Sequence, residues 1–409
     1  MLEQVAYASL VGAVAASAFS LPLARMGVAL GLVTWICSLI AARRAVRLPA
    51  VFWLSLLFAA VASLATLCGV RPELGMPKLR KLIWFLSIAP IAALVRSPGR
   101  LKTVAAAYAI GCGVLALRIF TSVPIESFAD LWNGAAPHYM AALIAHGSMT
   151  DAQRLMVGVL VTLGLLGLLR RLGQRRTWWW LLLGLQLAAL LLMFKRGSWL
   201  CTLGFGCVLI VSRLRRRYLL MLLVLPLLAG LPPVRQRFVQ LKAELSGDKG
   251  GRMTMWFEVA PRLVARHPWG MGYRSLTNAD MREIAPSVEA NRDHLHSNIV
   301  QILVATGWLG LSVYLVWMGW AVADGLRFAG ASRRGPPVDR MLSVTLLLAL
   351  LALLANGLVE YNFGDSELVL VYGWLMGTLA GARAGTGHRE ASGLAAARCG
   401  GVNRLPLAE

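Results

Sequence analysis

Three of the six histidines lie in one polar segment, residues 233–296, and two of them, His294 and His296, stand at its end. Residues 292–298 read Arg-Asp-His-Leu-His-Ser-Asn and lead directly into an apolar stretch. With Asp293, these histidines could hold a metal ion, although the sequence contains no zinc spacing such as HExxH. Alternatively, a histidine could act as a general base, because its pKa lies near working pH.

His296 immediately precedes a predicted helix. The positive end of a helix disfavours the imidazolium form and keeps the ring neutral, so that it can accept a proton. The same position also suits a purely structural histidine that caps the helix and touches lipid headgroups. Spacing alone leaves both alternatives open.

Basic residues are predicted on the same external side as His296. Arg196, Arg252, Lys78 and Arg80 lie in segments that reach that side. Arginine binds phosphate oxygens with a planar fork and stays charged. Such a cluster beside a neutral histidine suits transfer from a diphosphate-linked donor. The arginines would stabilise the departing diphosphate, and the histidine would take a proton from an attacking hydroxyl.

The composition requires a membrane to position these residues. Hydrophobic residues make up 58% of the 409 and charged residues only 15%, whereas a soluble domain carries about 25% charged residues. This excludes a soluble enzyme, a disordered protein and a fibrous one. We predict an all-α integral membrane protein with about 12 spans. They lie near residues 5–22, 26–41, 49–70, 82–95, 103–120, 138–169, 177–194, 198–212, 218–232, 297–325, 341–359 and 367–385. The sixth is ambiguous, because Asp151 and Arg154 interrupt it.

The net charge of +22 would usually suggest a nucleic-acid partner. With the N-terminus in the cytoplasm, however, 22 of the 41 Lys and Arg residues fall on the cytoplasmic side, with only five of the 19 acidic residues. This asymmetry follows the positive-inside rule, so we expect no nucleic-acid partner. It also supports an even number of spans.

The spans divide the chain into four parts. Residues 1–232 hold spans one to nine, 233–296 form a large external loop, 297–386 hold the last three spans and 387–409 form a cytoplasmic tail. Within the loop, Met255, Val259, Leu263 and Val264 recur at helical spacing. We therefore expect an amphipathic helix over 252–267, lying across the membrane face. The first apolar run is predicted to be a retained membrane helix and not a cleaved signal.

Three motifs stand in or beside these elements. From His296 the chain reads His-Ser, nine residues, Gly307, two residues, Gly310. Residues 195–199 read Lys-Arg-Gly-Ser-Trp. Arg252 precedes Trp256 by four residues, and 267–272 read His-Pro-Trp-Gly-Met-Gly. In these motifs, their order and the span plan, the sequence resembles the O-antigen ligase / O-antigen polymerase superfamily of bacterial polyprenyl-diphosphate glycan transferases. The Lys before Arg196 departs from the Ser that is common there.

The resemblance implies an inverting, metal-independent glycosyltransferase without a cofactor, in the bacterial inner membrane. Its large loop and active site would face the periplasm. The donor would be undecaprenyl-diphosphate-linked O-antigen and the acceptor a sugar hydroxyl of lipid A–core. His296 would be the base, and Arg196 and Arg252 would bind the diphosphate. The substrate-binding candidates are Lys78, Arg80, Lys195, His294 and Trp256.

Other functions remain open at this point. An O-antigen polymerase would use the same chemistry to join repeat units, and a pilin-glycan ligase would use a protein hydroxyl. A lipid-glycan flippase would need charged residues lining a membrane path, and the predicted spans hold few. Glu360 and Asp365, at the outer end of the eleventh span, could help to orient the substrate, but we expect them to form a solvated loop end.

Overall fold

The computed structural model of the chain describes residues 1–122, 148–214, 251–288 and 293–400, and no strand occurs among them. The all-α prediction is confirmed for this part of the chain. The helices are α1 (Leu2–Ser17), α2 (Leu21–Ala41), α3 (Ala50–Leu67), α4 (Pro72–Leu79), α5 (Ile88–Leu94), α6 (Pro98–Ser122), α7 (Ser148–Arg171), α8 (Thr177–Leu192), α9 (Arg196–Arg213), α10 (the joined pieces Arg252–Thr254, Met255–Val259 and Ala260–Arg266), α11 (Asn278–Ile284), α12 (Asn298–Ala331), α13 (Pro337–Gly357) and α14 (Ser366–Gly400).

Among the described residues, seven helices are long and apolar enough to cross a membrane. They are Leu21–Ala41, Ala50–Leu67, Pro98–Ser122, Met149–Arg171, Asn298–Arg334, Pro337–Gly357 and Ser366–Arg389. A multi-pass membrane protein therefore follows from the fold. The count of twelve spans is not confirmed, and the span predicted at 218–232 lies outside the described residues.

Two predicted spans take a different form. The fourth, at 82–95, is a 3₁₀ helix over Arg80–Ser87 that continues into the short α5. The sixth, at 138–169, is described only from Ser148, where α7 begins. Asp151 and Arg154, which seemed to interrupt that span, lie inside the continuous helix and form a buried ion pair with each other. Because the pair offsets both charges, the helix continues through them.

Helix α7 forms the centre of the bundle. Its apolar window is completely buried, with α6, α8, α9 and α13 packed around it. A helix that is apolar on all sides suits either lipid or a position inside a bundle, and α7 takes the second. The beginning of α7 is thereby fixed against the beginning of α9 and the end of α13, where the candidate site lies.

The segment that is predicted to lie outside the membrane, described at residues 251–288 and 293–296 and called the external segment below, is anchored to this bundle. Met255, Val259 and Leu263 of α10 are buried in one apolar cluster with Leu295 and with Val304 of α12. The predicted amphipathic helix is therefore present, and its apolar face packs against protein. A capping box of Thr277 with the residue three positions later starts α11.

A break in α12 receives the glycine-rich turn of the external segment. Gly307 has φ 67° and ψ −171° inside the helix, a conformation essentially reserved for glycine. The carbonyls of Val304 and Ala305 there accept the N–H groups of Met271 and Gly272, each at 2.9 Å. A Cβ on Gly307 would lie 2.4 Å from the Pro268 carbonyl oxygen. The two glycine motifs thus build one joint between the external segment and α12.

Candidate functional site

One cavity of about 220 Å³ opens where several helix ends meet: the beginnings of α7, α9 and α10, the segment before α12 and the end of α13. The described residues that line it are Met149, Gln153, Phe194, Lys195, Arg196, Gly197, Ser198, Gly251, Arg252, Met255, His296, Asn356, Val359 and Glu360. The cavity therefore brings together His296, Arg196, Arg252 and Lys195, which the sequence separates by up to about a hundred residues.

His296 stands just before the N-cap of α12, as the sequence predicts. Its backbone is left-handed, with φ 49°, and its side chain is 7% exposed. Nδ1 lies 3.4 Å from Oε2 of Glu360. Burial lowers the pKa of His296 below its usual 6.5, while the hydrogen bond with Glu360 opposes that shift. The ring is neutral at pH 7 and able to accept a proton.

Glu360 connects the histidine to an arginine. Its other oxygen, Oε1, accepts a hydrogen bond of 2.5 Å from Nη2 of Arg252, at the beginning of α10. The Glu360 side chain is only 14% exposed, and its backbone N–H donates to the carbonyl of Asn356 at the end of α13. The expectation of a solvated loop end was wrong for Glu360. Its contacts depend on the fold, because 64 residues separate it from His296.

Lys195 and Arg196 form the turn between α8 and α9. Phe194 turns the chain with φ 51°, and Lys195 occupies the N-cap position of α9. Both basic residues line the cavity beside the first amide groups of α9. Cationic side chains and a helix N-terminus at one wall favour an anionic ligand there.

His294 lies beside His296 at the outer side. The centres of the two rings are 4.3 Å apart, and Nδ1 of His294 lies 2.7 Å from Oδ1 of Asp293. The hydrogen bond with His294 lowers the pKa of Asp293 to about 2. His294 is not among the described residues that line the cavity, so its contact with the site passes through the His296 ring.

Trp256 holds the backbone that leads to His296. Its indole Nε1 donates to the carbonyl of Leu295 at 2.6 Å. The side chain is half-buried and lies outside the described lining of the cavity. In this structure, therefore, Trp256 contacts the preceding residue and not the cavity.

Lys78 and Arg80 lie away from the cavity, and Lys78 contacts the external segment. Nζ of Lys78 donates to the carbonyl of Arg274 at 2.9 Å, and Arg80 is exposed. Neither belongs to the described lining of the cavity. In the described ranges, no three His, Cys, Asp or Glu side chains are placed to hold a metal ion.

Part of the chain that contains this site matches a known protein family. Residues 181–315 match the family model described as O-antigen ligase. The matched residues make up about a third of the chain, and they support its membership of the O-antigen ligase superfamily. No curated protein matches the chain. Superfamily members are glycosyltransferase-like ligases and polymerases, so the match supports an enzyme of that broad class with a polysaccharide or lipid-linked substrate.

The O-antigen ligase match covers most of the candidate site. It includes Arg196, Arg252 and His296, together with the glycines at the break in α12. It ends before Glu360 and Asn356, which α13 and its following loop bring to the cavity. Sequence reasoning did not single out Asn356 and favoured a solvated loop end for Glu360, because a carboxylate and an amide at a helix end carry no motif.

Proposed function

We propose that the chain is an O-antigen ligase in the narrow sense. It transfers O-antigen from undecaprenyl diphosphate to a sugar hydroxyl of lipid A–core, at the periplasmic face of the inner membrane, with inversion and without a metal ion. The observation that carries this proposal is the shared cavity of His296, Glu360, Arg252 and Arg196. A neutral base next to two guanidinium groups provides what a hydroxyl and a diphosphate leaving group need.

His296 would act as the base through Nε2 of its ring. The Glu360 carboxylate accepts from Nδ1–H of His296, which leaves the lone pair of Nε2 for the acceptor hydroxyl. Nε2 takes the hydroxyl proton while the oxygen attacks the anomeric carbon of the donor. The bond from that carbon to the diphosphate oxygen breaks on the opposite face, and the electron pair leaves with the diphosphate. The configuration is thereby inverted.

The cations that line the same cavity would stabilise the leaving group. Arg196 and Lys195 stand at the positive end of α9, and Arg252 extends from the beginning of α10. Preorganised cations stabilise the charge that develops on the departing oxygen. Glu360 holds Arg252 through an ion pair, so that one carboxylate orients both the base and a cation.

Lys78 and Arg80 fit the acceptor better than the donor. They lie outside the described cavity lining, near Arg274 of the external segment. We assign them to phosphate groups of lipid A–core, which would reach His296 from that side. In this proposal His294, between the two regions, orients the acceptor, and Trp256 acts through the backbone before His296.

The deciding experiment is complementation of a strain that lacks its ligase. The wild-type chain should restore the O-antigen ladder on a lipopolysaccharide gel. His296→Ala and Arg252→Ala should abolish the ladder at normal protein levels. His296→Asn should do the same, because asparagine tolerates the left-handed backbone of this position but cannot act as the base. Arg262→Ala is the matched control, since its pair with Glu258 is exposed.

Each result separates the proposal from its alternatives. A ladder from both alanine variants would refute the assigned chemistry. A wild-type chain that changes the length of the free lipid-linked polymer without restoring the ladder would be a polymerase. A wild-type chain that relieves cytoplasmic accumulation of the lipid-linked glycan, without restoring the ladder or changing polymer length, would be a flippase.

A further inference from the structure

The cavity contains a buried amide whose role the mechanism above leaves unassigned. Asn356, at the end of α13, is 1% exposed and lines the cavity. Its Nδ2 and Oδ1 atoms are both buried and have no hydrogen-bond partner among the described residues. An unpaired buried polar group costs about 1–3 kcal/mol. Such a group calls for an explanation, and for an amide that lines a cavity, a ligand in the cavity would provide the missing partner.

The amide faces the beginning of α9. A Cβ placed on Gly197 would lie 2.8 Å from Nδ2 of Asn356, so this nitrogen and the first turn of α9 are immediate neighbours. The first amide groups of a helix have no intrahelical acceptor. The N-cap residue, Lys195, provides no side-chain hydrogen bond to them. Gly197 and Ser198 of that turn line the same cavity.

Only an acceptor-rich ligand satisfies such donors together. The amide of Asn356 and the N–H groups at the positive end of α9 all donate, and cationic side chains stand next to them. A phosphate oxygen accepts several hydrogen bonds and carries the negative charge that a helix N-terminus favours. Two buried acceptors at this cavity, Oδ1 of Asn356 and Oε1 of Gln153, also lack a partner among the described residues. They need a donor instead, such as a hydroxyl group of the sugar next to the phosphate.

We propose that Asn356 is a substrate-contacting residue: its Nδ2, with the N–H groups of Gly197 and Ser198, binds phosphate oxygens of the donor diphosphate. This inference rests on the proposed function, because it takes the donor to be a polyprenyl diphosphate. It adds a neutral donor set to the charges of Arg196 and Arg252. Glycine at 197 is then needed, because a larger residue would enter the space of the amide.

The test measures binding of farnesyl diphosphate to the purified full-length protein in detergent. Asn356→Ala removes the donor, and Asn356→Asp keeps the shape but replaces the donor with a carboxylate. Thr378→Val is the matched control. Its hydroxyl is also buried and unpaired within the described residues, but it lies in α14 outside the cavity lining.

We expect the Kd for farnesyl diphosphate to rise about tenfold in Asn356→Ala and further in Asn356→Asp, and to stay unchanged in Thr378→Val. Without ligand, the Tm of Asn356→Ala should not fall, because the side chain makes no hydrogen bond among the described residues and its removal relieves an unpaired buried amide. A purely structural amide would give the reverse, a lower Tm with an unchanged Kd. That result would overturn the inference.

Comparison of the wild type with the Asn356 variants, and of two competitors, separates this inference from the proposed function. If the wild type binds farnesyl diphosphate and the Asn356 variants bind it equally well, the inference fails and the proposed donor stands. If the wild type does not bind farnesyl diphosphate, both fail. Phosphatidylglycerol and farnesyl monophosphate serve as competitors, and equal competition by phosphatidylglycerol would show a general headgroup site and overturn the inference.

Discussion

The variant Glu360→Gln tests the carboxylate that contacts both His296 and Arg252. The change keeps the length and shape of the side chain but removes its charge. In the wild type, Oε1 accepts from Arg252 at 2.5 Å and Oε2 lies 3.4 Å from Nδ1 of His296. Both interactions weaken in the variant, because an amide is a weaker acceptor than a carboxylate and its nitrogen donates.

The expected effect follows from the burial of the group. A hydrogen bond to a charged group contributes about 1.5–3 kcal/mol, and Glu360 is only 14% exposed. Loss of one such interaction in the transition state corresponds to a fall in kcat/KM of about tenfold to hundredfold. We therefore expect a large but incomplete loss, smaller than that of His296→Ala.

The pH profile provides the sharper readout. His296 must be neutral to act as the base, so kcat/KM should fall as the pH drops through the pKa of His296, which burial places below 6.5. Glu360 raises that pKa and Arg252 lowers it. Without the carboxylate, the protonated form of His296 loses its partner and faces a less neutralised Arg252. The acid limb should then move to lower pH.

The assay is in vitro transfer from a purified lipid-linked donor to lipid A–core, followed from pH 5 to pH 9. Glu258→Gln is the matched control, because its ion pair with Arg262 is exposed and such pairs contribute little. It should keep the wild-type profile. A wild-type rate in Glu360→Gln, or an acid limb that moves to higher pH, would refute the role assigned to this carboxylate.

Three further predictions concern the glycine joint at Gly307, the hydrogen bond of Trp256 and the need for a metal ion. Gly307→Ala should lower the unfolding free energy by at least about 2 kcal/mol, because the backbone is strained for alanine and the Pro268 carbonyl blocks the new methyl group; thermal unfolding should detect this, and Gly319→Ala, which meets nothing within 4 Å, should be neutral or slightly stabilising. Trp256→Phe should reduce kcat a few-fold with little change in KM, since it removes the hydrogen bond that holds Leu295; a change confined to KM would instead place Trp256 against substrate. Transfer by enzyme dialysed against EDTA should match the untreated rate, and activity that returns only with added zinc would revive the metal-binding alternative.

The sequence singled out three residues that the structure brings to one cavity, His296, Arg196 and Arg252. Their residue types suit the proposed reaction, and each stands in a recognisable motif. The buried periodicity of α10 was also predictable, since Met255 and Val259 repeat at helical spacing. Such signals are local in sequence.

Contacts between distant segments left no such signal. Glu360 approaches His296 only after α12 and α13 pack as neighbours, and in the sequence it looks like any acidic residue at a loop end. Asn356 likewise has no polar neighbour in sequence that indicates a cavity. Asp151 and Arg154 made one span ambiguous, because hydropathy counts charges without knowing that they pair.

The glycine-rich turn, residues 267–272, packs into the break of α12, and this contact limits where the chain can be cut to make a chimera. Val304 and Ala305 give their carbonyls to Met271 and Gly272, and near a bilayer each carbonyl left unpaired would cost several kcal/mol. The helix therefore reaches its final form only once the turn is seated. A chimera that exchanges residues 251–288 alone would separate two halves of one folding unit, whereas a graft of 251–310 transfers the turn, its receiving break and His296 together.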